Sequence, residues 1–275
     1  MTAVCALCPK SCRLEEGQTG FCRGRKNEKG RIVSENYGHL TSIALDPVEK
    51  KPLYHFYPGN RILSVGSYGC NFRCPFCQNH TIAQADGHHA PWRYVGPEEL
   101  TAEAVRLIPS GNIGIAFTYN EPLICPEYIK DCARLAKNYH LKTVLVTNGS
   151  VNEPALRELL PFVDAMNIDL KGFTEEFYKS VGGTLETVKN TITLSRPHAH
   201  IELTKLVVPR MNDTDEDMEN MARWIRSVHE EIPLHVSRFF PCYKMADARP
   251  TPVQTVYRQA EIARKYLRYV YTGNC

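Results

Sequence analysis

The sequence lacks a strong net charge and any long hydrophobic run. Its 33 Lys and Arg residues nearly balance 30 Asp and Glu residues, so charge gives no reason to expect nucleic acid or an acidic membrane as a partner. No apolar run approaches the length of a membrane-spanning helix. The opening residues MTAVCALCPK also lack the apolar segment of a signal peptide. We therefore expect a cytoplasmic protein with no membrane or nucleic-acid partner.

The sequence also lacks internal repeats and low-complexity tracts, whereas it is rich in cysteine. With 275 residues, of which 43% are hydrophobic, the chain can bury a sizeable core in one large domain. It has eleven cysteines. In a reducing compartment that number indicates metal binding or catalysis rather than disulfides.

Short apolar runs alternate with segments of helical period after Gly59. We predict strands at 61–67, 112–119, 141–148, 163–170, 201–208 and 233–240, with a weaker one at 266–272. We predict helices at 126–139 and 216–229, and three more that begin near Pro97, Asn152 and Thr184. Repeated β-α units imply a parallel sheet, and six units are fewer than the eight of a full barrel. The predicted fold is an α/β fold, an open, partial (β/α)6 barrel of the TIM-like type.

The prediction divides the chain into three parts. Residues 1–35 form a small cysteine-rich metal-binding segment, which is too polar to fold by burial alone. Residues 36–60 form an ordered connecting segment without long helices. Residues 61–275 form the partial barrel. Ligands of such barrels bind where the carboxyl ends of the strands open into loops.

Three cysteines directly follow the first barrel strand, in GCNFRCPFCQN. Cys70, Cys74 and Cys77 have the spacing C-x3-C-x2-C, and thiolates are soft ligands suited to zinc or iron–sulfur clusters. Held by three cysteines, a [4Fe–4S] cluster keeps one iron free of protein ligands. The amino and carboxylate groups of S-adenosylmethionine can chelate that iron, and an electron from the cluster can then break the sulfonium bond. The alternative is a zinc knuckle completed by His80.

Polar residues at three later strand ends should converge on these cysteines, which are also the predicted catalytic residues. They are Asn120 and Glu121, Thr147 and Asn148, and Asp169 and Lys171. Phe76 lies beside the third thiolate, where it would shield the cluster from water and pack near the adenine of the cofactor.

The chain resembles the radical S-adenosylmethionine enzymes, specifically the AmmeMemoRadiSam-system group, which are relatives of the pyruvate formate-lyase activating enzymes. The resemblance covers almost the whole chain. It is carried by the motifs CALCPKSCRLEEGQTGFCRGR, DPVEKKPLYHFYPG, GCNFRCPFCQN, FTYNEP, NIDLKGF and SRFFPCYKM. It implies a [4Fe–4S] cluster, S-adenosylmethionine, and a flavodoxin or ferredoxin as electron donor. It also makes a protein or peptide substrate plausible, such as a glycine backbone.

The resemblance assigns roles to the polar residues at the strand ends. Asn120 and Glu121 stand where the family binds the methionyl amino group, although TYNEP departs from the common Gly-Gly-Glu. The pair Thr147 and Asn148 would reach the carboxylate or ribose of the cofactor, and the DLK motif at 169–171 would contact the cofactor or a cation. The alternative of a different class is a non-catalytic iron–sulfur or zinc protein that serves as an electron carrier or assembly module.

Four further cysteines crowd the amino terminus with the spacing C-x2-C-x3-C-x9-C. They are Cys5, Cys8, Cys12 and Cys22. Four thiolates satisfy a tetrahedral structural zinc, and a closed auxiliary [4Fe–4S] cluster is the rival. The spacing differs from that of bacterial ferredoxins and favours zinc. Among the other cysteines, Cys242 could face the site or serve as a buried small hydrophobe.

Overall fold

A computed structural model describes all 275 residues, which form fourteen strands and eight α-helices. The strands are β1 (Ala3–Val4), β2 (Arg13–Leu14), β3 (Arg25–Glu28), β4 (Arg31–Ser34), β5 (His39–Leu40), β6 (Ser42–Pro47), β7 (Arg61–Gly66), β8 (Arg93–Tyr94), β9 (Asn112–Phe117), β10 (Lys142–Thr147), β11 (Ala165–Asp169), β12 (His200–Val207), β13 (Leu234–Arg238) and β14 (Val270–Gly273). The helices are α1 (His80–Ala83), α2 (Pro97–Arg106), α3 (Pro126–Lys137), α4 (Glu153–Leu159), α5 (Glu175–Val181), α6 (Leu185–Ser195), α7 (Asp215–Val228) and α8 (Val253–Arg264).

Eight strands form one sheet in the order β14-β13-β12-β11-β10-β9-β7-β6. The seven strands from β7 to β14 in this sheet are parallel, and each connection between them contains at least one helix. The two edge strands, β14 and β6, do not pair with each other. Six helical crossovers and an unclosed sheet confirm the predicted partial (β/α)6 barrel, and all seven predicted strands are present.

The edge strand β6 is a difference from the prediction, because the sequence indicated no strand between residues 36 and 60. It pairs antiparallel with β7, so that Ser42 lies opposite Gly66 and Pro47 lies opposite Arg61. None of its residues is fully buried. A strand at the edge of a sheet needs no continuous apolar run. The pattern that identified the central strands was therefore missing here.

Local sequence explains where the helices start. Pro occupies the first turn of α2, α3 and α4, where the missing N–H costs nothing. The side chain of Thr214 accepts a hydrogen bond from the N–H of Asp217 at 3.1 Å, and three acidic residues complete the first turn of α7. These caps fix the helix ends that cover the outside of the sheet.

The interior of the barrel is closed at the amino ends of its strands by residues 48–57, which we name the plug. Val48, Leu53 and Phe56 of the plug pack on apolar residues of four neighbouring strands, β7, β9, β10 and β11. A larger core of 52 buried residues lies mainly between the sheet and its helices. The plug leaves only the carboxyl end of the barrel open to a ligand. No helix combines the length and apolar character needed to cross a lipid bilayer.

The cysteine-rich segment 1–35 packs against loops at the carboxyl end of the barrel. The N–H of Asn152 donates to the carbonyl of Leu7 at 2.9 Å, and the Asn152 side chain donates to the carbonyl of Ala6 at 2.8 Å. Arg25 pairs with Glu127 of α3 at 2.6 Å. The segment therefore contributes to the wall that surrounds the barrel opening.

Candidate active site

A cavity of about 280 Å³ opens at the carboxyl ends of the barrel strands. All ten residues predicted for the central site line it: Cys70, Cys74, Phe76, Cys77, Asn120, Glu121, Thr147, Asn148, Asp169 and Lys171. They come from the ends of four neighbouring strands, β7, β9, β10 and β11. The rule that ligands bind at the carboxyl ends of parallel strands therefore correctly predicted that these residues lie together.

The cysteine loop that follows β7 places three thiols at the floor of this cavity. Burial raises the pKa of Cys70, and the nearby Glu121 and Cys74 raise it further. Burial also raises the pKa of Cys74 to about 11, although Lys171 acts in the opposite direction. Such thiols ionise together only when a metal supplies the compensating positive charge. The donor set therefore fits a soft, thiolate-bound metal.

His80 does not complete a zinc knuckle with these thiols. Its ring stacks on Tyr243, with 4.5 Å between centroids, and its Nδ1 lies 3.2 Å from the carbonyl of Cys77. No three Cys, His, Asp or Glu side chains stand at the spacing of a single-ion site. Three thiols without a fourth ligand fit a [4Fe–4S] cluster, which keeps one iron free of protein ligands.

Glu121 joins the ends of β9 and β10. Its Oε1 accepts hydrogen bonds from the Thr147 hydroxyl at 2.6 Å and the N–H of Leu123 at 3.0 Å, and its Oε2 accepts one from the N–H of Asn148 at 2.7 Å. Burial still raises the pKa of Glu121 to about 7. An ionised carboxylate has about four acceptor positions, so one position on Oε2 remains free.

The amide groups of Asn120 and Asn148 are already engaged. Asn120 accepts from the N–H of Ser67 at 3.0 Å and donates to the carbonyls of Tyr68 and Gly69 at 3.1 Å each. Asn148 donates to the side chain of Asn71 at 2.9 Å and lies 3.7 Å from the thiol of Cys70. Both side chains thus hold the cysteine loop in place at the edge of the cavity.

Asp169 and Lys171 form the charged wall of the cavity. Lys171 Nζ lies 2.7 Å from Asp169 Oδ2. Burial lowers the pKa of Lys171, but Asp169 and the thiols Cys74 and Cys77 outweigh burial and raise it. Lys171 is therefore a cation that faces both an acidic residue and the thiol site. It can balance negative charge there.

Aromatic and sulfur groups cover the cysteine loop. Phe76 is buried, lines the cavity with the thiols and stacks with Phe177 at 6.3 Å between ring centroids. The thiol of Cys242 donates to the carbonyl of Phe76 at 3.2 Å and is half-buried. Cys242 thus packs against the cysteine loop from the SRFFPCYKM motif.

The far wall of the cavity contains residues that the sequence analysis missed. Thr204 and Ser237 project from β12 and β13, and Asn274 lies at the end of β14. Thr204 follows Glu202 by two positions, and Ser237 follows His235 by two positions. Polar residues at alternate positions of a barrel strand indicate an interior face, and this signal could have found them.

Comparisons with known proteins identify relatives of this chain. The model of the Radical SAM superfamily matches residues 64–225. A Methanocaldococcus jannaschii protein described as uncharacterized is 41% identical over 274 residues, which are 98% of this chain and 80% of that protein. Pyruvate formate-lyase 1-activating enzyme of Escherichia coli K12 is 25% identical over 230 residues, 76% of this chain and 90% of that enzyme.

A solved structure shares the fold. SuiB from Streptococcus suis, bound to S-adenosylmethionine, superposes with a TM-score of 0.60 at 12% identity. The match covers 78% of this chain and 52% of that one, so this chain spans about half the length of SuiB.

Proposed function

Because the chain belongs to the radical SAM superfamily and has homologues among the activating enzymes, we propose that it generates a 5′-deoxyadenosyl radical for hydrogen abstraction. The single observation that carries the proposal is the shared cavity, which is lined by three thiols and by the polar ends of three further strands. The chain is a radical SAM type of enzyme, and that family uses a [4Fe–4S] cluster with S-adenosylmethionine. An electron carrier would need no such cavity.

In this proposal Cys70, Cys74 and Cys77 hold the cluster. When bound, the cluster supplies the electron that cleaves the sulfonium bond of S-adenosylmethionine. The free acceptor position on Glu121 Oε2 receives the cofactor's amino group. Lys171 balances the negative charge of the thiolates, and Phe76 keeps water from them. Glu121 and Lys171 are held by hydrogen bonds within the protein itself, which favours a fixed geometry at the reacting atoms.

The remaining strand-end residues position these contacts. Thr147 orients Glu121 through a 2.6 Å hydrogen bond. Asn120 and Asn148 fix the cysteine loop and line the cofactor cavity beside it. Asp169 orients Lys171 at 2.7 Å. We propose that cofactor binding depends on all four, with Glu121 and Lys171 making the charged contacts.

The substrate and partners follow from the homologues by analogy. The activating enzymes act, as their names state, on pyruvate formate-lyase and isethionate sulfite-lyase, and we propose a protein or peptide substrate for this chain too. We place the chain in the AmmeMemoRadiSam-system group on the motifs given above. We also propose a flavodoxin or ferredoxin as its electron donor and a cytoplasmic location.

We also propose a second metal at Cys5, Cys8, Cys12 and Cys22. These four thiols line one small cavity together with Asn71. Zinc would draw four thiolates close around one ion. We propose zinc there, as the spacing of the four cysteines favours, with a closed auxiliary [4Fe–4S] cluster as the alternative.

The test is anaerobic reconstitution of the 275-residue chain with iron and sulfide. Reduced protein should change its EPR spectrum when S-adenosylmethionine is added, and should release 5′-deoxyadenosine and methionine, detected by chromatography. Replacing Cys70, Cys74 and Cys77 with Ala should abolish both signals, whereas Cys132→Ala in α3 should keep them. Well-reconstituted protein that shows neither signal under strong reductant would defeat the proposal.

A further inference from the structure

The amino-terminal cysteines and the central cysteines are joined through the backbone. The N–H of Cys70 donates to the carbonyl of Cys22 at 3.0 Å. Gly69 makes this approach possible, since a Cβ on Gly69 would lie 2.4 Å from the Cys22 carbonyl oxygen. Gly69 also has a φ of +87°, which L side chains rarely adopt. This hydrogen bond therefore joins the backbone of Cys22, a proposed ligand of the amino-terminal site, to that of Cys70, a proposed ligand of the central site.

Arg73 makes a second connection, from within the central loop. Its guanidinium donates to the carbonyls of Cys70 at 2.7 Å and Phe72 at 2.9 Å, and also to the carbonyl of Phe21. It lies 3.9 Å from the centroid of the Phe21 ring, over which Lys10 lies at 4.6 Å. Arg73 thus binds the residue next to Cys22 by two kinds of contact.

Asn71 makes the third connection. It is buried and lines the amino-terminal thiol cavity together with Cys8. Its amide donates to the carbonyl of Ser150 at 2.7 Å and accepts from Asn148 at 2.9 Å. A single side chain of the central loop therefore reaches both the amino-terminal site and the loop after β10.

The four amino-terminal thiols face one another across their cavity. The segment that carries them has short two-residue strands and many exposed residues. Such a segment has little buried apolar surface to fix its backbone, so a bound metal would supply the constraint.

From these contacts we infer that the amino-terminal metal centre is a support for the central cluster loop. Metal bound at Cys5, Cys8, Cys12 and Cys22 fixes the backbone of 21–22, and that backbone holds Cys70 and Arg73 where the central cluster is built. The inference rests on the proposed function, because it presumes a cluster at the central cysteines. It adds that loss of the amino-terminal metal weakens retention of the central cluster.

The experiment compares variants of the reconstituted 275-residue chain. Cys12→Ala removes one amino-terminal ligand, and Phe21→Ala keeps all four ligands but removes the ring beneath Arg73. Total iron, sulfide and zinc are measured, and loss of the central cluster to an iron chelator is followed by EPR. Cys132→Ala is the matched control, since it removes a fully buried thiol of α3 that lines neither cavity.

We expect the Cys12→Ala protein to lose the amino-terminal metal and to release central iron roughly tenfold faster than the wild type, because the hydrogen bonds to the central loop loosen. Phe21→Ala should keep both metals and accelerate release by a smaller factor. Cys132→Ala should match the wild type. Iron with sulfide lost from Cys12→Ala would identify the first centre as a cluster, and zinc would identify it as a zinc site; either supports the inference.

Wild-type release rates in both Cys12→Ala and Phe21→Ala would overturn the inference, as would a wild-type protein with no metal at the amino-terminal site. These outcomes differ from a failure of the proposed function. That failure would appear in the wild type itself, as a central site that binds no cluster or does not cleave S-adenosylmethionine. Should Cys12→Ala not fold, Phe21→Ala alone decides, because the Phe21 side chain is 38% exposed.

Discussion

Glu121 and Glu202 are both buried carboxylates of the barrel, one near each end. Burial raises the pKa of a carboxyl group because it penalises the charged form. At Glu121 burial prevails, and the pKa is raised to about 7. At Glu202 burial is outweighed by hydrogen bonds from His200, His235 and two backbone N–H groups, and the pKa is lowered to about 2.

The partners of Glu202 explain its ionisation. His200 Nε2 lies 2.9 Å and His235 Nε2 lies 2.7 Å from its oxygens. The N–H groups of Tyr54 and His55 donate to it at 3.0 and 2.7 Å. Four donors fill its acceptor positions, and two of them belong to the plug. Glu202 therefore fastens the plug to the strands.

The contrast with Glu121 separates a structural carboxylate from one that can bind a ligand. Glu121 has three donors and no cationic side chain bonded to it. A buried carboxylate without a cation is costly unless something else supplies the charge. The cofactor's amino group would do so. The buried carboxylate at the amino end of the barrel has all its partners within the protein, whereas the one at the carboxyl end has room for a partner from a ligand.

Removing the carboxylate at Glu202 should have the largest effect on stability. Glu202→Ala leaves His235 and the N–H groups of Tyr54 and His55 without an acceptor inside the barrel. We expect a loss of about 3 kcal/mol or more in the free energy of unfolding, measured by urea denaturation. A loss under about 1 kcal/mol would contradict the structural role.

The lowered pKa of Glu202 predicts a pH dependence. Its folded pKa of about 2 lies below the ordinary 4.5, so its contribution is complete above about pH 5 and declines as the pH falls towards 2. The advantage of the wild type over Glu202→Gln should be about 3 kcal/mol at pH 7. It should shrink steadily between pH 5 and pH 3 in urea titrations at each pH. A constant difference would mean that Glu202 does not ionise differently on folding.

Glu121→Gln should show the reverse balance. It should change the free energy of unfolding by no more than about 1 kcal/mol, because the N–H of Asn148 loses its acceptor while the cost of burying an ionised carboxylate is removed. Affinity for S-adenosylmethionine should fall about tenfold, because a charge-assisted hydrogen bond is lost. Calorimetric titration of the reconstituted, iron-replete protein measures the Kd. Glu202→Gln is the matched control and should keep the wild-type Kd. A wild-type Kd for Glu121→Gln would contradict the proposed contact between Glu121 and the amino group of the cofactor.

Much of this organisation could be predicted from local sequence. Buried parallel strands have continuous apolar runs, so all seven were found, and the strand-end rule then brought Glu121 and Asn148 to the cysteines. The prediction failed where the sequence has no clear hydrophobic pattern. Strand β6 is half-exposed and has no continuous apolar run. The plug has no helical or strand periodicity in its sequence. The insertion of the plug into the barrel and its hydrogen bonds to Glu202 therefore could not be expected.

Contacts between distant segments were also beyond the sequence. Cys22 and Cys70 carry cysteine signals of their own, but nothing in either motif indicates that their backbones are hydrogen-bonded. The approach depends on Gly69, and a glycine beside a cysteine motif can equally serve a tight turn or make room for a ligand. Tertiary packing decides between these roles. The same holds for Arg73, which in the sequence is simply a basic residue between two cysteines.

The smallest effect should come from an ion pair on the surface. Arg157 Nε lies 2.7 Å from Glu153 Oε1 in α4, the same distance as His235 from Glu202, but both side chains are more than half exposed. Water screens such a pair, and ordering two long side chains costs entropy. Arg157→Ala should therefore change the free energy of unfolding by less than about 0.5 kcal/mol in urea denaturation. A loss of stability close to that of Glu202→Ala would contradict this explanation. It would mean that the short distance between the groups, rather than burial with a full set of donors, makes the Glu202 contacts stabilising.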